Sequence, residues 1–320
     1  MDPSAHQSAL HPAGPVADTL LGVTGVITLG AVLIFVLVMG LLAWALRRRK
    51  TPTDDDAARG RSHARRLILG GGVLFPVVVL TALFVYSIRH APPWREIPPR
   101  DALVIGVTGH MWWWDVRYRD PASGREFSTA NEIRIPTGRP VYLGLGSADV
   151  IHSFWVPALG GKMDMLPGRV QHLLLQASTP GVYRGQCAEF CGVQHARMAL
   201  HVVAMPPEDF ERWLAAESLP SPPPPTDELA RGRDAFVANR CGACHTVRGV
   251  TEESRLGPDL THVGGRLHLG AGQLPMNADT LAEWIGDVQR IKPGARMPSS
   301  EHRLDAATLR SIALWLAHRP

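Results

Sequence analysis

Two uninterrupted apolar runs, residues 20–46 and 67–88, open the chain, and neither contains a charged residue. Each exceeds the roughly 20 residues that a helix needs to cross a bilayer. After a Pro-rich turn at 91–99 the pattern changes to short alternating segments separated by turn material such as Pro121-Ala-Ser-Gly124 and Pro136-Thr-Gly138. Segments 103–108, 112–118, 131–135, 140–145, 171–176, 181–184 and 198–204 read as strands, and that many short strands close together predict an all-β sandwich or barrel. Residues 206–217 then read as a short helix, with Pro and acids at its start. The run Pro220-Ser-Pro-Pro-Pro-Pro225 predicts a polyproline II spacer of roughly 19 Å at a domain boundary. Helical periodicity returns over 227–238 and again over 305–318.

This pattern divides the chain into a tail (1–16), a first membrane helix (17–46), a link (47–66), a second membrane helix (67–89), a β domain (90–206), a short helix with a Pro-rich linker (207–225) and a helical domain (226–320). The link collects Arg47, Arg48, Arg49, Lys50, Arg59, Arg61, Arg65 and Arg66, whereas no Lys or Arg precedes it. The positive-inside bias therefore predicts a two-pass protein of the bacterial inner membrane. Its link is cytoplasmic, and its tail and C-terminal domains lie on the outer, periplasmic face. A cleaved signal peptide fits less well, because residues 1–46 lack both a basic start and a short apolar core. The second run carries Gly70-Gly71-Gly72 and Pro76, which membrane helices tolerate when neighbours restore their packing.

Charge changes the picture little. The 33 basic and 29 acidic residues of the 320 leave a net charge of +4, with no basic helix or aromatic-basic interleaving, which argues against nucleic acid as a partner. The four cysteines are more informative, since all of them fall in two short motifs and none remains to staple loops.

The first motif is Cys187-Ala-Glu-Phe-Cys191-Gly-Val-Gln-His195-Ala-Arg-Met198. Thiolate, imidazole and thioether ligands favour copper, zinc or iron over magnesium or calcium. A closed zinc site would leave Met198 idle, and a mononuclear blue-copper site takes one Cys rather than two. A Cys187–Cys191 disulfide competes whenever metal is absent. Two thiols four residues apart can also bridge two ions, in which case a second His is needed, and His152 in Asp149-Val-Ile-His-Ser-Phe-Trp is the best candidate.

These two segments resemble the binuclear copper (CuA) signature of cytochrome c oxidase subunit II. The resemblance implies that His152 and His195 each bind one copper and that Cys187 and Cys191 bridge both. It also implies weak ligation by Met198 and by the Glu189 carbonyl, and it supplies the name cupredoxin for the β domain. In the family the Glu189 side chain helps bind a magnesium ion shared with subunit I, and Trp112 of Gly109-His-Met-Trp-Trp-Trp114 stands where electrons enter. Asp149, Asp164 and Arg169 fall in matching segments, where ion pairs that hold loops are as good a reading as a part in proton exit. One departure is that the Glu found near the second span in mitochondrial-type oxidases corresponds to Leu69, with His63 the nearest titratable group.

The second motif, Cys241-Gly-Ala-Cys244-His245, is the attachment signal for a c-type haem. Met297, in Lys292-Pro-Gly-Ala-Arg-Met-Pro298, is the chosen sixth ligand, with Met276, His262 and His268 as alternatives. Met/His ligation raises the reduction potential, as a donor to an oxidase requires. Residues 226–320 resemble a class I cytochrome c. Together the resemblances imply subunit II of a caa3-type oxidase, a multidomain membrane protein with a two-helix hairpin, an all-β cupredoxin-like sandwich and an all-α cytochrome c. Its expected partners are oxidase subunits I and III and an external c-type cytochrome or other donor. This chain would conduct electrons, while oxygen reduction with proton translocation belongs to subunit I. Competing readings are an electron-transfer subunit of a copper-containing nitric oxide reductase and a membrane-tethered copper carrier.

Overall fold

The computed structural model describes residues 7–48, 54–91 and 97–319. Arg49 and Lys50 of the basic link, the start of the tail and residues 92–96 of the Pro-rich turn lie outside the described residues. Residues 18–94 form one compact unit, and the segments flanking them together form the second.

In the first unit, α1 (Pro15–Arg47) contains 33 residues with mean hydropathy 2.9 in its most apolar stretch. At 1.5 Å per residue it is about 50 Å long, ample for a bilayer core. The second apolar run belongs to a helix that begins well inside the basic link. Segment α2 (Asp54–Leu69) passes through a π turn at Gly70–Leu74 into α3 (Phe75–His90). Alanine and arginine are strong helix formers, which accounts for the early start. The π turn directly precedes Pro76, where a proline in a helix removes one backbone donor and crowds the preceding turn. Side chains such as Phe35, Leu37, Val78 and Phe84 stand exposed, as expected of helices whose solvent is lipid.

The second unit contains two five-stranded sheets. One has the order β3-β2-β1-β5-β8, from Glu126–Ala130, Trp113–Arg119, Leu103–His110, Val141–Ser147 and Gln171–Leu175. The other has the order β4-β10-β9-β6-β7, from Glu132–Pro136, Ala199–Met205, Gly181–Cys187, His152–Trp155 and Met163–Met165. Alternate residues Leu103, Ile105 and Val107 of β1 point inward to meet Trp114, Phe154, Leu143 and Ile135. Each such side chain contributes about 1.5–3 kcal/mol on burial. Strands β3, β6 and β7 do not follow from the alternation, and His152 is the first residue of β6. The tail is pinned to this sandwich: Ala13 N donates to the Ala158 carbonyl at 2.7 Å, Ser178 N to the Ala13 carbonyl at 2.7 Å, and Arg184 to Gln7 at 2.8 Å.

Helix α4 (Pro207–Glu217) follows, its first turn carrying Glu208 and Asp209. The Pro-rich stretch does not stand free as a spacer. Ser221 N bonds the Arg248 carbonyl at 2.9 Å, and residues 221–224 line one open cavity together with Val237, Val250 and Arg319 of the helical domain. That domain has its own core, with Phe236, Trp315, Ile312 and Leu281 at its centre. Helices α5 (Asp227–Ala238) and α8 (Ala306–Ala317) cross at Gly232, where a Cβ would stand 2.1 Å from the Ser311 carbonyl oxygen. Helices α6 (Ala278–Gly286) and α7 (Val288–Ile291) complete the bundle, beside a ribbon of β11 (His268–Leu269) and β12 (Leu274–Pro275). Thr226, Asn277 and Asp305 cap α5, α6 and α8 with side-chain oxygens.

Candidate functional site

Strands β9 and β10 are antiparallel neighbours, and the loop between them holds the first cysteine motif. Its base is closed by Cys187 N donating to the Met198 carbonyl at 2.9 Å, and Ala188 N reaches Ser153 of β6 at 2.9 Å. Because β6 pairs with β9 at Phe154 and Cys187, the His152 ring falls beside the sulfur of Cys187. Gly109 of β1 leaves room for that ring, since a Cβ there would stand 2.8 Å from His152 Cδ2.

The donor atoms form a string. His152 Nδ1 lies 3.8 Å from Cys187 Sγ, which lies 3.7 Å from Cys191 Sγ. Cys191 Sγ is 3.6 Å from His195 Nδ1 and 3.8 Å from Met198 Sδ, and the Glu189 carbonyl is 3.2 Å from Cys187 Sγ. Among the described residues, His152, Cys187 and Cys191 form the cluster whose ligand atoms lie within 4.8 Å of one another. At 3.7 Å the two sulfurs are far beyond the roughly 2.05 Å of a disulfide, and both cysteines are free.

Asp149 accepts from the other His152 nitrogen, Nε2, at 2.9 Å, which directs Nδ1 toward the sulfurs. Burial works against charge on His152, but its bonds to Cys187 and Asp149 prevail and raise its pKa. Asp149 is likewise opposed by burial, yet the bond to His152 and the Met111 and Val150 amides hold it low. The bond between the sulfurs lowers the Cys187 thiol and raises that of Cys191, so this pair favours a single thiolate without metal. A metal ion takes thiolates and neutral imidazoles and displaces their protons. Two thiols, two imidazoles, one thioether and one carbonyl, brought together by the loop and the start of β6, suit copper.

Trp112 is 8% exposed and donates its indole N–H to the Cys191 carbonyl at 2.8 Å. Glu189 turns its half-exposed side chain outward, with Lys162 Nζ 3.9 Å away and also 3.6 Å from Asp164. Arg169 is exposed.

In the helical domain, Cys241 and Cys244 are free thiols on a 3₁₀ turn at the end of α5, followed at once by His245. His245 Nδ1 pairs with the Pro258 carbonyl at 2.8 Å, which leaves Nε2 for a metal. Burial lowers its pKa against the pull of that carbonyl, favouring the neutral ligating form. Gly257 cradles the ring, for a Cβ there would stand 2.7 Å from His245 Cε1. This geometry fits a covalently held haem. Met297 and Met276 both pack against the same core. Of the histidine alternatives, His262 Nε2 pairs with the Leu219 carbonyl at 3.0 Å and His268 stacks on His201 with ring centroids 4.3 Å apart.

The reading from sequence missed the contacts that seat the helical domain on the sandwich, above all Lys292, whose side chain is 3% exposed at that boundary. The chain contains 3 lysines, Lys50, Lys162 and Lys292, and a lysine retained in an arginine-rich chain was the available signal.

The sequence pattern of the family described as cytochrome c oxidase subunit II, periplasmic domain, matches residues 103–205, and that of cytochrome c matches residues 229–319. Cytochrome c oxidase subunit 2 of Alkalihalophilus pseudofirmus is 34% identical over 319 residues, covering 95% of this chain and 90% of the relative. The protein of the same description from Bacillus subtilis is 26% identical, covering 97% of this chain and 90% of the relative. A solved periplasmic domain of subunit II of the Bradyrhizobium japonicum oxidase is 30% identical with a TM-score of 0.35, covering 38% of this chain and 96% of that one. The two pattern matches imply copper in the sandwich and haem c in the helical domain.

Proposed function

Because the chain belongs to the cytochrome c oxidase subunit 2 family, with a cytochrome c domain fused behind it, we propose that it relays electrons from its own haem c through a binuclear copper centre to subunit I. Bound at these sites, the haem iron and the copper pair supply one-electron carriers, and oxygen reduction with proton translocation belongs to subunit I.

The observation that carries the proposal is the position of Trp112. Its indole N–H is bonded to the carbonyl of Cys191, while its ring lies against the loop that carries Met297: a Cβ on Gly294 would stand 3.5 Å from Trp112 Cη2 and Cζ3. Trp112 thus touches both the copper loop and the loop that carries Met297. Cys241, Cys244, His245 and Met297 hold the haem, and His152, Cys187, Glu189, Cys191, His195 and Met198 hold the copper pair. Paired ions are supported by the order of the donors, with one imidazole at each end of the two sulfurs. Glu189 offers its carboxylate to a magnesium ion completed by subunit I, since a carboxylate suits a hard cation.

The tail bonded to the sandwich supports a two-pass topology, because it puts the start of α1 on the same side as the metal-binding domains. With a basic link, that side is the periplasmic one. Subunits I and III pack around the helices, and an external c-type cytochrome reduces the haem.

The test is flash reduction of the haem in the purified, metallated full chain. Haem oxidation and copper reduction should proceed together at a rate independent of protein concentration. Absence of coupled transfer, or a single exchangeable Cu(I) with no haem, would replace this reading with that of a copper carrier. In the assembled complex, nitric oxide consumption without oxygen uptake would move the acceptor to a nitric oxide reductase.

A further inference from the structure

Between the helical domain and the sandwich lies a buried amine, Lys292. Lys292 begins the loop that ends at Met297, and its ammonium is buried at the boundary. It donates to the carbonyls of Trp112 at 2.6 Å, Arg197 at 2.9 Å and Gly270 at 2.9 Å. An ammonium has three N–H donors and no acceptor, so all of its donors are used. Two of the acceptors belong to the copper domain: one is the backbone of the tryptophan, and the other is the residue before Met198.

The neighbours of Lys292 bind back. Arg197 donates to the Ile291 carbonyl at 2.7 Å and Gln194 to the Pro293 carbonyl at 2.8 Å. Residues 291, 292 and 293 are therefore all held by the loop that carries His195 and Met198. Further out, Ala199 N donates to the Ala271 carbonyl at 3.2 Å and Leu267 N to Glu132 at 2.8 Å. Arg134 reaches the Gly265 carbonyl at 2.6 Å. A buried polar group is costly unless its hydrogen bonds are complete, and here they are complete only with the domains together.

We propose that Lys292 is the positioning residue of a closed interdomain clamp, which holds the Met297 loop against Trp112 and keeps the cytochrome domain seated on the copper domain. This rests on the relay proposed above and adds a consequence. Trp112 is covered by the chain's own domain, so an external donor delivers its electron to the haem domain and not to the tryptophan. The clamp replaces a chance encounter of two domains on a tether with one fixed geometry.

The test uses the full chain with both cofactors and the variant Lys292→Met, which keeps length and removes the donors. Amide hydrogen exchange is followed in peptides containing Ala199 and Leu267, whose N–H groups cross the boundary, with the β5 core as control. Removing one partner of buried hydrogen bonds leaves the others unpaired, so exchange at the crossing amides should rise about tenfold or more with β5 unchanged. Haem-to-copper transfer should slow by a similar factor, with both reduction potentials and both spectra as in the parent protein. A general structural defect would shift those potentials or spectra, and that result overturns the positioning role. Parent-like exchange and transfer in the variant also overturn it. Arg197→Met, which cuts an exposed bond of the same clamp, should move both readouts in the same direction by less and decides the matter if Lys292→Met does not assemble. If the parent chain itself shows no haem-to-copper transfer, the relay falls, while the exchange measurement still decides the clamp.

Discussion

The indole nitrogen of Trp112 and the carbonyl of Cys191 are joined by a 2.8 Å hydrogen bond, 79 residues apart in sequence. That bond ties the tryptophan to the backbone of a residue whose sulfur lies 3.7 Å from that of Cys187 in the His152–Cys187–Cys191 cluster. Trp112→Phe keeps an aromatic ring in the same pocket and removes the donor. It should slow haem-to-copper transfer by about tenfold or more, the equivalent of roughly 1.4 kcal/mol of barrier, with copper and haem content unchanged. Flash kinetics with elemental analysis checks this, and an unchanged rate removes Trp112 from the route.

Gly109 lies so close to His152 that the smallest added side chain must displace the ring. Overpacking of this kind costs about 1–3 kcal/mol, and here it falls on a proposed copper ligand. Gly109→Ala should lower the copper-to-haem ratio while leaving haem content at one per chain, as elemental analysis and the pyridine haemochrome assay would read.

Asp149 orients His152 through Nε2 and also accepts from the Met111 and Val150 amides. Loss of such a partner behind a metal-ligating histidine typically weakens metal affinity by about 10–100-fold. Asp149→Asn should release copper to a chelator correspondingly more readily, with the sandwich still folded by circular dichroism.

Acid should loosen the boundary between the two outer domains. His201 is held down to about 4, by burial first and then by the facing His268 and Arg184. His268 is also lowered by burial, with Arg184 adding to the effect and Glu132 opposing it. Both imidazoles are therefore neutral in the closed form and take up protons more readily once it opens. The stabilisation is complete above about pH 6.5 and is lost as pH falls toward 4. Exchange at the Ala199 and Leu267 amides, corrected for intrinsic rates, should accelerate between about pH 7 and 5, and His201→Gln should flatten that dependence.

Much of this organisation was legible in the sequence because its signals are local. The apolar runs, helices α4, α5 and α8 and the two cysteine motifs each declare themselves within a few turns of chain. Strands β3, β6 and β7 did not, since Glu126–Ala130 mixes polar and small residues and Met163–Met165 spans only 3 residues. Their existence depends on neighbours far away in sequence. The same is true of His152, which joins a strand because β9 and β7 pair on either side of it. The Pro-rich stretch has the composition of a free spacer, yet Arg248 holds it to the helical domain, and nothing in the stretch itself encodes that partner. Lys292 was passed over for a related reason: its acceptors are backbone carbonyls, which no side-chain pattern announces.

Whether Cys187 and Cys191 share two copper ions is tested most directly by electron paramagnetic resonance of the copper-loaded full chain. A paired centre gives the hyperfine pattern of one unpaired electron shared equally by two copper nuclei, with two copper atoms per chain, and this is the expected result. The pattern of a single isolated copper nucleus, or zinc in place of copper, would contradict it.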